Sequence, residues 1–539
     1  MLKKIKGQDR LLFILCVVVL SVLILFVCTG IFITIASLSD VDAEVRYALE
    51  IIRSGEIFPS EYTTGPDVWV YARNMAMAPI LLFTDDLLFA FSAASIIMLM
   101  PAVLSVIYCS RKIMKNNTWL IAIPLLFCGI GYDWYLMYTS TSSYMAQFLS
   151  LILVITLYID SVDENYKIKS KIKFIFLVIL ILYMGLGGGR GLQVYGVPLV
   201  GTIVISFLYK YINDSFYDSL KKSEKMLSIA IPLGVAMIVS FLGSQLLLKR
   251  MNCPSENASI YFSDLDFFQR IEDLYNTFML ICGITSNVPM LSVNGVLNLL
   301  KITGGIILYI LLPILQIKNL KNESNEMKLF SIYACIHLLE MILIAIFTNA
   351  LTAIAPRYLL TTMYILIFLA AHYLYKIICS KPDKSLIKVM INVCFSMYVL
   401  ICSASMASSC MNYDEKIAQR KDLTNYLKSE ELTWGYASYW NAGSNSLLSN
   451  REVNIEAVII WDNLTASHWL NSKYNYTPEA YQGPSFLMID DAENEIFTTG
   501  NAYAALGEPY RILNYGGFWI YVYDYNISIN NFEGKEALS

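Results

Sequence analysis

The hydrophobic positions of this chain fall into long, nearly unbroken blocks separated by short polar stretches. Apolar runs lie near 11–36, 87–109, 118–137, 142–160, 172–187, 192–209, 226–248, 295–316, 328–349, 356–379 and 386–408. A helix needs about 20 residues to cross a bilayer, so the pattern predicts about eleven membrane helices. Pro124 interrupts the third run, and 273–292 reads as a re-entrant or interfacial helix. The opening MLKKIKGQDR and the run after it resemble an uncleaved signal-anchor: the apolar run is too long for a signal-peptide core and no small-residue cleavage site ends it.

The polar stretches alternate in charge. With the N-terminus cytoplasmic, the inner loops are RKIMKNN, DSVDENYKIKSKIK, YKYINDSFYDSLKKSEK, QIKNLKNESNEMK and CSKPDKSLIK, each with several lysines or arginines. The intervening loops are Lys-poor and rich in Asp, Tyr, Ser and Asn, which orients them outward and places the tail beyond Met411 outside. That tail has a different pattern. EVNIEAVII, SFLMIDD and RILNYGGFWIYVYDYNISI read as strands, the last split at Gly516–Gly517, and DEKIAQRKDLTNYLKSEEL reads as a helical lead-in. The expected architecture is a polytopic α-helical membrane domain over 1–408, with a first outer loop at 37–86, and an extracytoplasmic α/β domain over 409–539.

Composition agrees with the pattern. The 539 residues are 56% hydrophobic and 15% charged, with a mean hydropathy of +0.54, which selects the membrane class. The net charge of −4 adds little, because the signs are segregated along the chain. Most of the eleven cysteines sit in apolar runs as small hydrophobes. Cys253 and Cys282 share one outer loop and are read either as a pair or as two thiols. Three histidines and no CxxC pair leave little material for a His- or Cys-based metal site. No nucleic-acid partner is expected.

Candidate chemistry concentrates on the outer face. SLSDVDAEVRYALEIIRSGEIFPSEY follows the first span and carries Asp40, Asp42 and Glu44. Ser39 and Asp42 have the spacing of a capping box, with Asp in place of the usual Glu. The helix that follows has Val45, Ala48, Leu49 and Ile52 on one stripe and Arg46, Glu50 and Arg53 on another, suited to lying on the outer membrane surface. At about 100° per residue, Asp42 projects beside Val45 and Leu49, toward the bundle. Two readings stay open: acids favoured at a helix start by the macrodipole, or a reacting carboxylate. Arg190 sits in the glycine run LGGGRGLQVYGVP, and Arg357 follows Pro356 in TNALTAIAPRYLL. An arginine at membrane depth is costly unless paired, so each is read as a phosphate ligand or as a snorkelling anchor or salt-bridge partner. GGGRG lacks the Lys-Ser/Thr ending of a P-loop. His337 and Glu340 lie three apart on one helical face, read as a relay, a buried pair or a cavity-facing acid. Asp133, in GYDWYLMYTSTSSY, has aromatic neighbours that suit a membrane belt or a pyranose face.

Together DVDAEVRYALEIIRSGEIFP, GRGLQVYGVP and PRYLLTTMYILIFLAA resemble the GT-C superfamily of polyprenyl-phosphate-sugar-dependent glycosyltransferases, in the bacterial branch related to protein mannosyltransferases and aminoarabinose transferases. The stretch from WGYASYWNAGSNSLLSNREV to FWIYVYDYNI is similar to extracytoplasmic domains of that group. The resemblance implies an inverting transfer from a polyprenyl-phosphate-linked sugar to a cell-envelope glycan, lipid or protein at the outer face of a bacterial plasma membrane. It implies that Asp42, Glu44 or Asp40 is the general base. It implies that Arg190, Arg357, Tyr358 and Asp133 bind substrate. A divalent cation stays open: an alanine separates Asp42 from Glu44, and TSTSSYMAQF lacks the acid many members place at the fourth span. Two other classes remain in view: a transporter or flippase of lipid-linked saccharide, and a non-catalytic membrane scaffold whose tail binds glycan.

Overall fold

In lipid, a chain without water must satisfy its own backbone groups, and a helix does so within one segment. In the computed structural model of this chain the apolar blocks are helices. The structure describes residues 7–28, 39–65, 67–68, 70–127, 142–213, 216–253, 262, 267–284, 287–348, 359–379, 386–411, 414–461 and 463–528. In chain order the first elements are α1 (Gly7–Cys28), α2 (Ser39–Ser54), β1 (Tyr62–Thr63), α3 (Arg73–Leu81), α4 (Leu87–Cys109), α5 (Trp119–Phe127), α6 (Ser142–Ser161) and α7 (Lys171–Gly185). Then come α8 (Gly189–Asn213), α9 (Phe216–Arg250), α10 (Phe267–Ile281), α11 (Val293–Ile306), α12 (Leu312–Lys318), α13 (Asn325–Phe347), α14 (Leu360–Cys379) and α15 (Leu386–Met411).

Seven helices among the described residues are long and apolar enough to cross a membrane: 87–114, 144–161, 189–209, 223–250, 293–318, 325–347 and 360–379. The sequence predicts about eleven. Of the other runs, α15 holds a shorter apolar stretch at 388–404. α7 is shorter than the about 20 residues a bilayer asks for, and of the run at 118–137 only 119–127 lies among the described residues as a helix. The ambiguous run at 273–292 is α10 and the turn after it.

The centre of the bundle is α14. All but a few of its side chains are buried, as befits a helix that is apolar all round. Close approach elsewhere depends on small residues. A Cβ on Gly185 would lie 2.1 Å from Ser240 Oγ, so α7 and α9 touch where neither has a bulky side chain.

The C-terminal segment begins with α16 (Asp414–Ser429) and contains β2 (Trp434–Ser438), α17 (Tyr439–Leu448), β3 (Asn454–Ile460), β4 (Leu464–Ala466) and β5 (Asn471–Ser472). It continues through β6 (Ser485–Asp490), α18 (Asp491–Thr499), α19 (Asn501–Leu506), β7 (Arg511–Tyr515) and β8 (Phe518–Tyr523). Six strands form one sheet in the order β4-β3-β2-β6-β8-β7, with β2 parallel to β3 and β6 and the other pairs antiparallel. The parallel strands are covered on both faces, which is why they read as nearly continuous apolar runs. Ile455, Ala457, Phe486 and Met488 pack under α16 and α17, while Val458, Leu487 and Ile489 pack under α18 and α19. The β7–β8 hairpin turns at Gly516–Gly517, both at positive φ, as the sequence predicts.

The first loop and this α/β unit are joined in three places. β1 pairs antiparallel with β5, Tyr62 opposite Ser472. Asn450 bridges to the start of α4, accepting from Leu87 N at 2.9 Å and donating to Asp85 O at 3.0 Å. The third contact is α2 itself. Val41, Val45 and Ala48 pack on Met77, Ala78, Leu87, Ala90 and Phe91 of α3 and α4, as an amphipathic stripe should. The opposite stripe departs from expectation: Arg46 and Glu50 are 5% and 3% exposed rather than facing water. The C-terminal unit covers them, so α2 is a sandwiched helix and not one lying on a membrane surface.

Candidate functional site

On α2, Asp42 and Glu44 lie two residues apart, about 200° around the helix axis, and so point to different sides. Asp42 is four residues before Arg46 and pairs with it through Arg46 Nε. Its carboxylate faces α17 and not the bundle, correcting the orientation expected from the stripe. The reason is a glycine: a Cβ on Gly443 would meet Asp42 Oδ2 at 2.8 Å, so α17 approaches α2 closely only because that position has no side chain. Ser39 Oγ adds a hydrogen bond to Tyr439 O at 2.5 Å.

Asp42 is 1% exposed, and among the described residues its Oδ1 has no hydrogen-bond partner. Burying an unsatisfied carboxylate oxygen costs free energy. It borders a narrow recess of about 230 Å³ walled by Tyr439, Gly443, Trp469, Leu470 and Asn471.

Arg46 spends every nitrogen. Besides Asp42, it donates through Nη1 to Glu456 Oε2 and, at 3.2 Å, to Asn471 Oδ1, and through Nη2 to Ile455 O at 2.7 Å. The last bond satisfies a carbonyl on the half of β3 that β4 does not cover, so the guanidinium also seals a sheet edge. Glu456 collects further donors: Asn471 Nδ2 at 2.9 Å, Asn454 Nδ2 at 2.8 Å and Arg451 Nη2 at 3.5 Å. Two carboxylates and two guanidiniums thus meet in one buried group. Burial acts to raise the Glu456 carboxyl, but Arg46, Arg451 and the two amides outweigh it and hold it below its ordinary value. Burial likewise acts to lower Arg46, and Asp42 and Glu456 overcome it.

A pH dependence follows. Because folding depresses the Glu456 value, its contribution to the joint is fully present above the unfolded value near about pH 4.3 and is lost as pH falls through the folded value. Amide exchange along 454–460 should stay slow from neutral pH down to about pH 5 and accelerate only in stronger acid. Protection already lost near neutrality would contradict this assignment.

Glu44 turns the other way. It is 1% exposed and pairs with Arg73 Nη1 at 3.1 Å, and the Arg73 guanidinium lies 4.0 Å above the Phe91 ring. Burial pushes Arg73 down, with Glu44 opposing. Arg73 opens α3 directly after the 67–72 segment, whose Asp67, Val70 and Tyr71 wall a larger recess of about 420 Å³. Gln147 and Ser150 of α6 and Gly187 and Gly191 complete its lining. Arg190, at the α7–α8 turn, pairs with Asp67 at 3.3 Å beside this recess. Burial raises the Asp67 carboxyl, and Arg190 opposes that shift.

The other predicted positions are distributed as follows. The backbone of Asp40 lies in the first turn of α2, and its side chain is outside the described set. Asp133, Arg357 and Tyr358 also lie outside the described residues. His337 Nε2 meets Thr361 Oγ1 at 3.2 Å rather than Glu340. Cys253 and Cys282 are thiols: Cys253 Sγ donates to Gly65 O at 3.1 Å, and Cys282 packs against Gly305. Sequence reasoning missed Gly443, Glu456, Arg73 and Asp67. Glu456 left a signal, as the one charge inside the otherwise apolar strand NIEAVII. Among the described residues, no three His, Cys, Asp or Glu side chains gather where a metal ion could be held.

No protein-family model matches the sequence, and no curated protein does. Among solved structures the chain is similar to an oligosaccharyltransferase of Archaeoglobus fulgidus in its apo form. The identity is 12% and the TM-score 0.42, over 88% of this chain and 69% of that one.

Proposed function

We propose that this protein is an integral-membrane glycosyltransferase of the GT-C type. In this reading it moves a sugar from a polyprenyl-phosphate donor to a cell-envelope acceptor at the outer face of a bacterial plasma membrane. The observation that carries the reading is the Asp42 carboxylate: buried, fixed at one oxygen by Arg46, and at the other without a partner among the described residues, beside a recess at the seam of two units. That is the arrangement a general base needs.

In the reaction an acceptor hydroxyl gives its proton to Asp42 Oδ1 as its oxygen attacks the anomeric carbon. The bond from that carbon to the lipid phosphate breaks, the electron pair leaves with the phosphate, and the anomeric centre inverts. Cationic groups stabilise the departing charge. Arg190 is the described candidate, exchanging Asp67 for a phosphate oxygen at the larger recess, with Arg357, Tyr358 and Asp133 as further substrate ligands. Glu44 holds Arg73 and with it the segment that walls that recess; Asp40 stays a candidate beside Asp42.

The direct test uses the purified full chain in lipid vesicles with radiolabelled undecaprenyl-phosphate-linked mannose, glucose and arabinose, offered with acceptor-bearing membranes. Release of undecaprenyl phosphate with label moved to acceptor is expected for one of the three. Label that crosses the bilayer with its phosphate linkage intact would instead mark a transporter. Arg190→Gln is expected to raise KM for the donor by about tenfold, the worth of one charge-assisted hydrogen bond of 1.5–3 kcal/mol at its lower end. An unchanged KM would remove Arg190 from the donor site.

A further inference from the structure

The acid and the residue that orients it belong to different units of the protein. Arg46 reaches Asp42 through Nε alone, and its other two nitrogens are tied to β3 and β5, at Glu456, Ile455 O and Asn471. A guanidinium is planar and rigid, so fixing two of its corners fixes the third. Glu456 is itself immobilised: each carboxylate oxygen accepts at least two donors, from Arg46, Arg451, Asn454, Asn471 and Asn475.

We infer that Glu456 of the C-terminal unit is a positioning residue for the transfer reaction, acting through Arg46 to aim Asp42 Oδ1 into the recess. The inference rests on the reading of Asp42 as the base. The geometry separates this role from mere attachment. The units are also held by the backbone pairing of β1 with β5 and by Asn450 at the start of α4, and neither set of bonds uses the Glu456 carboxylate. Arg46 moreover divides its charge between two carboxylates, so Asp42 is not its sole counter-ion. Without the share taken by Glu456, the Nη1 corner keeps only its contact to the Asn471 amide, and the plane that sets Nε against Asp42 is held less firmly.

The test measures kcat and KM for undecaprenyl phosphate release by full-length Glu456→Gln in vesicles, with whichever labelled sugar the wild type transfers. The amide keeps the shape and several hydrogen bonds of the carboxylate. The expected result is a fall in kcat of tenfold or more with KM within twofold of wild type, measured below the thermal midpoint of the variant, which the loss of a buried charge lowers. Glu456→Asp should restore part of the lost kcat. Should Glu456→Gln fail to accumulate, Arg46→Lys serves: it keeps a cation near Asp42 but lacks the fork that ties it to β3, and the same kcat loss is expected. Wild-type kcat in the folded variant, or a loss confined to KM, overturns the inference. The reading beneath it is scored separately: full activity of Asp42→Asn removes the base, whereas an inactive Asp42→Asn beside an active Glu456→Gln removes only the positioning role.

Discussion

Asp42→Asn is expected to reach the membrane at wild-type level and to lose sugar transfer by a factor of about 100 to 10,000, the range a positioned general base supplies. The substitution is nearly isosteric. It leaves Arg46 its bonds to Glu456, Asn471 and Ile455 O, so the joint between the units should survive. What it removes is proton affinity at an oxygen that accepts from no other group among the described residues. The measurement is undecaprenyl phosphate release, with thermal unfolding of the same preparation as the control for folding. Transfer at the wild-type rate would eliminate Asp42 as base and move attention to Glu44 or Asp40.

The second large effect is on stability. Arg46→Met keeps the length and apolar stem of the side chain but strands Asp42 and leaves Glu456 with Arg451 as its one cation. Breaking a buried ion pair by removing one partner typically costs about 3–5 kcal/mol, and here the carbonyl of Ile455 also loses one donor and keeps Ser446 Oγ. The expected phenotype is a C-terminal unit that separates from α2 before the bundle unfolds, seen as early loss of amide protection at 454–472. Arg46→Lys should fall between, since one ammonium cannot serve all four acceptors. An Arg46→Met variant with wild-type protection across 454–472 would show that β1–β5 pairing alone carries the joint.

Much of the architecture was legible because it is local. Apolar blocks predict helices from length and composition, and the C-terminal strands show in residues that alternate or stay apolar over six or seven positions. The acid-bearing helix at 39–54 was legible for the same reason, down to Val45, Ala48 and Leu49 of its apolar stripe, although Ile52, the fourth expected member, is exposed. Its other face was not. Polar residues such as Arg46 and Glu50 look the same in sequence whether water or another unit covers them. The partners of Arg46, Glu456 and Asn471, lie more than 400 positions away, with no periodicity to announce the contact. That is why Asp42 was expected to face the bundle and is found against α17. The hidden determinant was Gly443, whose missing side chain matters only once two distant helices are brought together.

The separation along the chain has a further consequence, for biosynthesis. Ser39 and Tyr439 touch across 400 residues, and synthesis at roughly 5–20 residues per second spends on the order of tens of seconds between them. During that interval α2 is complete while its covering is still unmade, with Asp42 and Arg46 held by each other and lacking β3. A chain halted before β3 therefore holds α2 with its polar face uncovered and Arg46 without the groups that fix it. If Asp42 is the base, its aim is set only once the segment from α17 to β5 has folded onto α2.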